Sequence, residues 1–592
     1  MTKTATTPLY TVTPADPSGH RFTVQLHVPE PDAAGQKLSL PAWIPGSYLI
    51  RDFSRHIETL EARDDDGPVA VTKLDNHHWQ CAPARGALRV NYTVYAWDLS
   101  VRGAHLDDSH GFFNGTSLFL CVHGQEARPC LVHLRPPPHS RHWKVYTSLP
   151  VAEGHPKAAK RHSFGMYRAP DYDALIDHPV EMGTPQVVEF DANGVMHEMV
   201  FTGVIPNLDL ARIADDTRKI CEAQMALFGH PHGDAPFLDS APRYVFMTMV
   251  TADGYGGLEH RASTALMAPR NQLPTIGTAK APDGYTTFLG LVSHEYFHTW
   301  HVKRIKPARF VPYQLQRETH TRLLWVFEGF TSYYDDLMLL RSGRVTEAEY
   351  FSLLAKTITS VHRGNGRLKQ SVAESSFDAW TRYYRQDENA PNAIVSYYTK
   401  GALVALGLDL LIRHSTRGAK SLDDVMRHLW RHFGQDFYKG RETGIDEDAM
   451  AGIILDATGV DVSDYLERHV EDCQDVPLDD LLAPEGIQLL CEATSTLPSL
   501  DARLQDAHGE TRLASVFEGG AAHTHGLSAG DTLVAINGLR VGAPASAERL
   551  LAAYRPGQEV DIHVFRRDEL RAYRVKLAKP PRVEYKLVRE PA

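Results

Sequence analysis

The sequence predicts a multidomain α+β protein: an antiparallel β domain at the N-terminus, a central domain with a largely helical second half, and a small β domain at the C-terminus. Three observations carry this. Period-two alternation of apolar and polar residues dominates to about residue 170, as in Arg21-Phe22-Thr23-Val24-Gln25-Leu26-His27-Val28. Helical spacing takes over from Val345 to about residue 475. Beyond Pro477–Pro484, strand patterns are separated by Gly530-Asp531 and Asn537-Gly538. At 592 residues the chain is long enough for several cores, and the expected division is 1–170, 171–478 and 479–592.

In the first domain, Leu88–Tyr95 alternates like Arg21–Val28, and Ser117–Val122 and Cys130–Leu134 extend the strand pattern. The Pro41–Tyr48 stretch is aromatic and turn-rich; it reads as a rigid loop without chemistry of its own. Past Thr202 the pattern changes to a helix over Leu208–Leu227 and a short apolar strand over Tyr244–Val250. Directly after that strand, Gly256 and Gly257 let a backbone or a substrate approach closely, and Glu259 is placed to receive a cationic group.

His294-Glu295-Tyr296-Phe297-His298 follows an apolar run, Phe288–Val292, with Pro307 as the expected helix stop and Lys303, Arg304 and Lys306 at its C-terminal end. Histidines four apart share one helix face, so His294 and His298 can hold one zinc ion, while Glu295 can take a proton from a water there. A third ligand has to come from elsewhere. Glu328 is a lone carboxylate in the apolar helical run Leu323–Leu340, and a third zinc ligand is the better reading than a partner of Arg322. His301 reads as structural. Thr346–Glu349 forms a capping box, and helices are expected over Lys400–His414, Ser421–Phe433 and Glu447–Ala457. Ahead of the first of these, Tyr397 or Tyr398 can donate to a developing oxyanion.

Composition excludes several classes. The net charge is −11 and no basic run exceeds a pair, so no nucleic-acid partner is expected. Six cysteines include no Cys-x-x-Cys pair, and free thiols are expected. Met1–Tyr10 lacks an apolar segment and no 18-residue apolar run occurs, so the expectation is a cytoplasmic chain without a membrane partner.

Together these segments resemble the glycyl aminopeptidase family of zinc peptidases, a relative of the larger aminopeptidase and leukotriene-hydrolase family. Trp43–Tyr48 with Arg51-Asp52-Phe53 looks like its N-terminal signature, His294–Trp300 its zinc helix, and Glu328-Gly329-Phe330 its glutamate segment. Gly256–His260 is similar to the strand whose Glu binds a peptide's free amino terminus, with Leu258 and His260 where the larger family has Met and Asn. Tyr398-Thr399-Lys400-Gly401 matches the segment carrying the oxyanion tyrosine, which favours Tyr398. Gly526–Gly538 resembles a PDZ domain, although Ser499–Leu504 lacks the Gly expected of a carboxylate-binding loop. The 29 residues between His298 and Glu328 exceed the spacing of the larger family. The resemblance implies a thermolysin-like catalytic fold, one zinc per chain and release of N-terminal Gly or Ala from peptides with a free N-terminus. It also implies that a peptide or protein C-terminus is a candidate partner of the PDZ domain. The rival readings are a thermolysin-like endopeptidase, sharing every zinc residue, and a non-catalytic PDZ scaffold.

Overall fold

A computed structural model describes residues 6–140, 142–229 and 235–590, and the chain divides into two compact units. Residues 1–5, part of the polar start noted above, lie outside the described residues. The first unit comprises Met1–Thr319, Leu337–Val345 and Met426–Asp446; the second comprises His320–Asp336, Thr346–Val425 and Glu447–Ala592.

The first unit opens with a seven-stranded sheet in which Leu9–Asp16, Arg21–Val28, Leu88–Tyr95 and Ile57–Arg63 lie side by side. The alternation read from sequence maps onto one buried face: Phe22, Val24, Leu26 and Val28 stand opposite Val94, Tyr92, Val90 and Leu88, all buried. Cys130–Leu134 joins the sheet as the parallel neighbour of Leu9–Asp16. Ser117–Val122 is not the strand its pattern suggested. It is a helical turn, Gly115–Leu118, followed by the two-residue strand Cys121–Val122. The cause is tertiary: the carbonyls of Leu118, Phe119 and Leu120 accept from the hydroxyls of Tyr92 at 2.6 Å, Tyr172 at 2.7 Å and Tyr10 at 2.6 Å. Three buried phenols satisfy the groups that a neighbouring strand would otherwise satisfy.

A second, mixed sheet carries the site. Its order is Gln186–Ala192, Val195–Thr202, Tyr244–Thr251, Ser263–Pro269 and, at the edge, Gly256–Glu259. The helices Leu210–Leu227 and Tyr285–Phe297 pack against it and each other, tied where Gln224 Nε2 donates to the Ser293 carbonyl at 2.8 Å.

The second helix ends at Phe297, with His298 as its cap, well before Pro307. Lys303 and Arg304 do not line an exposed helix end; both are buried. Lys303 Nζ lies 2.9 Å from Asp177, and Arg304 Nε lies 2.8 Å from Asp239. Asp177 also accepts from His260 Nδ1 at 2.9 Å and Arg261 Nε at 3.2 Å. Burial alone would raise the Asp177 carboxyl; Lys303, His260 and Arg261 hold it well below the usual carboxylate range. Breaking such a pair leaves a buried charge undercompensated. Lys303→Met is therefore expected to destabilise the protein by about 3 kcal/mol, read from the shift of its urea midpoint. An unmoved midpoint would mean that His260 and Arg261 balance Asp177 without the lysine.

The expected long helix over Leu323–Leu340 begins, in the second unit, as a π-helical turn, Trp325–Phe330, and continues as the helix Thr331–Arg341, whose last residues are counted with the first unit. The capping box at Thr346 and Glu349 starts Glu347–Arg363 as read. Leu478–Leu482, expected as linker, is helical because Leu478 and Leu482, one turn apart, are both buried. The terminal sheet runs Ala502–Ala507, Glu510–Val516, Thr532–Ile536, Glu559–Arg566 and Glu569–Lys576, with the helix Pro544–Leu551 beside it. Asn537 and Gly538, at φ 47° and 75°, form the two-residue hairpin turn predicted from their sequence. Leu513, Ile536, Ile562, Val564 and Val575 form this domain's core.

Candidate active site

The last turn of Tyr285–Phe297 and its cap carry the histidine motif. The rings of His294 and His298 have centroids 4.7 Å apart, as i,i+4 spacing requires. His298 Nδ1 lies 2.7 Å from the His301 carbonyl, an acceptor, so Nδ1 carries the proton and Nε2 is left to ligate. His301 thus supports His298 through its backbone. Tyr296 fixes the helix's rotation. Its hydroxyl donates at 2.9 Å to Nε2 of His197, whose Nδ1 is occupied by the Val195 carbonyl.

Alongside runs the edge strand Gly256–Glu259, bonded to Ser263–Pro269 on one side; among the described residues no strand covers its other edge. A Cβ on Gly257 would lie 2.0 Å from Glu295 Oε1, so the carboxylate occupies the space of the missing side chain. Ligating atoms of Glu259, Glu295 and His298 all fall within 4.8 Å of one another, and all three residues are buried. Among the described residues Glu259 Oε1 has no hydrogen-bond partner, although the residue is only 3% exposed. Two buried carboxylates this close repel, and a cation placed between them removes the conflict.

One part of the site escaped sequence reasoning. Gly46 adopts φ 91°, and a Cβ there would come within 2.4 Å of Glu259 Oε2. The Pro41–Tyr48 loop is therefore the wall behind the Glu259 carboxylate. It is braced by the segment following the histidine helix. Trp43 Nε1 donates to the Gln314 carbonyl at 2.9 Å, and Tyr48 stacks on Phe310 at 5.9 Å. The long spacing after His298 supplies these residues. The signal available in sequence was the density of aromatic residues, Pro and Gly in one short loop.

In the second unit, Glu328 is 1% exposed within its π-helical turn. Arg322, weighed above as its partner, pairs with Glu471 and Asp448. A Cβ on Gly329 would meet the Gly401 backbone at 2.7 Å, so two glycines let the turn pack directly on the helix Thr399–Ser415. That contact sets Glu328 near the tyrosines ahead of this helix. Burial, with Tyr384 and the Glu328 charge adding to it, raises the Tyr397 hydroxyl well above its ordinary pKa. Tyr397 is fully buried, whereas Tyr398 is half-buried with its hydroxyl 3.4 Å from that of Tyr384. Lys400 anchors the segment on the carbonyls of Arg367 at 3.1 Å and Cys473 at 3.2 Å.

Comparison with known proteins agrees with this layout. The Peptidase M61 N-terminal domain matches residues 9–184, the M61 glycyl aminopeptidase model residues 287–404, and a PDZ domain residues 498–577. A crystal structure of an aminopeptidase N family protein from Idiomarina loihiensis is 42% identical, covers 99% of this chain and 98% of its own, and superposes with a TM-score of 0.93. The chain belongs to the M61 glycyl aminopeptidase family. It is a peptide hydrolase with a C-terminal PDZ domain. More distant structures include an M1 zinc metallopeptidase from Deinococcus radiodurans (14% identity, 80% of this chain, 94% of that one, TM-score 0.47). Native yeast LTA4 hydrolase is another (12%, 80%, 68%, 0.45). Among the curated proteins none matches the chain.

The residues present fit a zinc ion. Two imidazoles one turn apart, one with its tautomer fixed by a carbonyl, are suitable nitrogen donors, and the carboxylates beside them supply negative charge. Among the described residues no helix is long and apolar enough to cross a membrane.

Proposed function

We propose that this M61 member is a zinc-dependent aminopeptidase that releases N-terminal Gly or Ala from peptides. The observation that carries the proposal is Glu259: a buried carboxylate with an unpartnered oxygen, set beside Glu295 and His298 and backed by Gly46. His294, His298 and Glu328 are assigned as ligands of one zinc ion. When bound, zinc polarises a substrate carbonyl and lowers the pKa of a water to about 7.

The chain's own groups do the rest. Glu259 accepts the substrate's α-ammonium and so places the first peptide bond relative to Glu295. Gly46 backs that carboxylate, and recognition of a free ammonium is what would distinguish an aminopeptidase from an endopeptidase. Gly256 and Gly257 let the substrate backbone lie along the uncovered strand edge. Glu295 takes a proton from the attacking water and passes it to the leaving amine. Tyr398 donates to the oxyanion, favoured over Tyr397 because it is half-buried whereas Tyr397 is fully buried. Preference for Gly or Ala is supported by the family's glycyl activity. Six unpaired cysteines fit a reducing cytoplasm.

The test is hydrolysis of Gly-, Ala- and Leu-p-nitroanilide beside N-acetyl-Ala-p-nitroanilide, with and without chelator. Chelator-sensitive cleavage of the Gly and Ala substrates, with the blocked one inert, is expected. Glu259→Ala should lower kcat/KM on the unblocked substrates roughly 10- to 150-fold, chiefly through KM, as loss of a charged hydrogen bond does. Equal cleavage of blocked and unblocked substrates would replace this reading with an endopeptidase.

A further inference from the structure

Ser47 follows the glycine that backs Glu259, and its buried hydroxyl gathers two guanidinium groups. Arg51 donates to Ser47 Oγ at 2.7 Å, and Arg102 donates to the same oxygen through Nε at 3.2 Å. Arg102 comes from a tight turn of the N-terminal domain, where its own N–H donates to Ser100 Oγ at 3.2 Å. The other end of its guanidinium reaches the substrate strand: NH1 lies 3.8 Å from where a Cβ on Gly256 would stand. Because residue 256 has no side chain, nothing at that position shields the guanidinium from a ligand lying along the strand.

The chemistry at this point is unbalanced. Arg102 is half-buried, and among the described residues it makes no ion pair; its one side-chain hydrogen bond is to Ser47. A guanidinium has five N–H donors in a planar fork that matches a carboxylate in bidentate geometry. Four of the five are thus open to an anion. The position of this cation also has meaning relative to Glu259. Gly256 and Glu259 are the two ends of one strand, three residues apart, so at ordinary strand rise about 10 Å separates their Cα atoms, and their side-chain directions fall on opposite faces of the strand. An extended tripeptide spans about the same distance between its amino and carboxyl ends. A buried anion stands at one end of the uncovered edge and an unpaired cation flanks the other end from the opposite face, so a ligand in the plane of that edge passes between them with its two ends toward opposite charges.

We propose that Arg102 binds the C-terminal carboxylate of the substrate, which makes this enzyme selective for tripeptides with both ends free. The inference rests on the reading of Glu259 as the ammonium site. A longer peptide carries its carboxylate beyond the reach of Arg102 and presents a neutral amide there instead.

The experiment compares kcat/KM for Ala-Ala-Ala, its C-terminal amide Ala-Ala-Ala-NH2 and Ala-p-nitroanilide, using the full zinc-loaded chain and its Arg102→Gln and Arg102→Lys variants. The wild type should prefer the free acid over the amide roughly 10- to 100-fold, the range expected of a charge-assisted hydrogen bond, with the difference in KM rather than kcat. In Arg102→Gln the acid-to-amide ratio should fall toward one. Arg102→Lys, which keeps the charge and loses the fork, should restore part of it. A wild-type ratio near one overturns the inference whatever the variants do. So does a ratio preserved in Arg102→Gln while both substrates decline together, since that marks Arg102 as merely structural. Cleavage of Ala-p-nitroanilide without acid-over-amide preference leaves the aminopeptidase reading standing and removes this one. Turnover of none of the three removes both.

Discussion

Glu295→Gln is expected to lower kcat on Ala-p-nitroanilide by about 10²–10⁴-fold, with KM and bound zinc close to wild type. The amide has the shape of the carboxylate, so it fits the space that Gly257 leaves open, but it cannot accept a proton from water or return one to the leaving amine. Zinc content should hold because the assigned ligands are His294, His298 and Glu328. Stability should hold as well: Glu259 lies within 4.8 Å, so exchanging one carboxylate of the pair for an amide removes a repulsion and adds a donor. Steady-state kinetics, metal analysis and a thermal melt on one preparation separate these effects. Zinc lost together with activity would show that Glu295 holds the metal site rather than moving protons.

How far the sequence revealed this site depends on the range of the interactions involved. His294, Glu295 and His298 are set by helical spacing within five residues, and the structure places them on one helix end as that spacing requires. Arg21–Val28 and Leu88–Tyr95 were legible because alternation is a local record of which face is buried. The failures are long-range. Ser117–Val122 has strand composition, but tyrosines contributed from residues 10, 92 and 172 take its carbonyls. Lys303 and Arg304 look like exposed charges at a helix end until Asp177 and Asp239 are brought to them from 126 and 65 residues away. The loop behind Glu259 was described without a role because its brace, the Trp43–Gln314 hydrogen bond, spans 271 residues. The π-helical turn at Glu328 is a further case: its apolar run has helical composition throughout, and the packing of Gly329 on Gly401 is a tertiary fact.

Gly257→Ala should abolish most activity although it replaces no assigned catalytic or ligating residue. The added methyl would stand 2.0 Å from Glu295 Oε1, 2.3 Å from its Cδ and 2.6 Å from its Cγ, so the whole carboxylate must move. Unlike Gly46, Gly257 does not occupy the left-handed region, and alanine is compatible with its strand conformation. The backbone is therefore expected to stay in register with Leu266, and the displacement to fall on Glu295. Moving a catalytic group by about 1 Å costs about 10²-fold in rate, so kcat should drop by at least that factor while the melting temperature and zinc content change little. The decisive comparison is the double variant. If Gly257 acts by positioning Glu295, then adding Gly257→Ala to Glu295→Gln should cost far less than it does alone, because the proton acceptor it displaces is already gone. Full additivity in the double variant would show that the methyl group obstructs the substrate backbone on the strand edge instead, and wild-type kcat in the single variant would show that Glu295 does not depend on this glycine for its position.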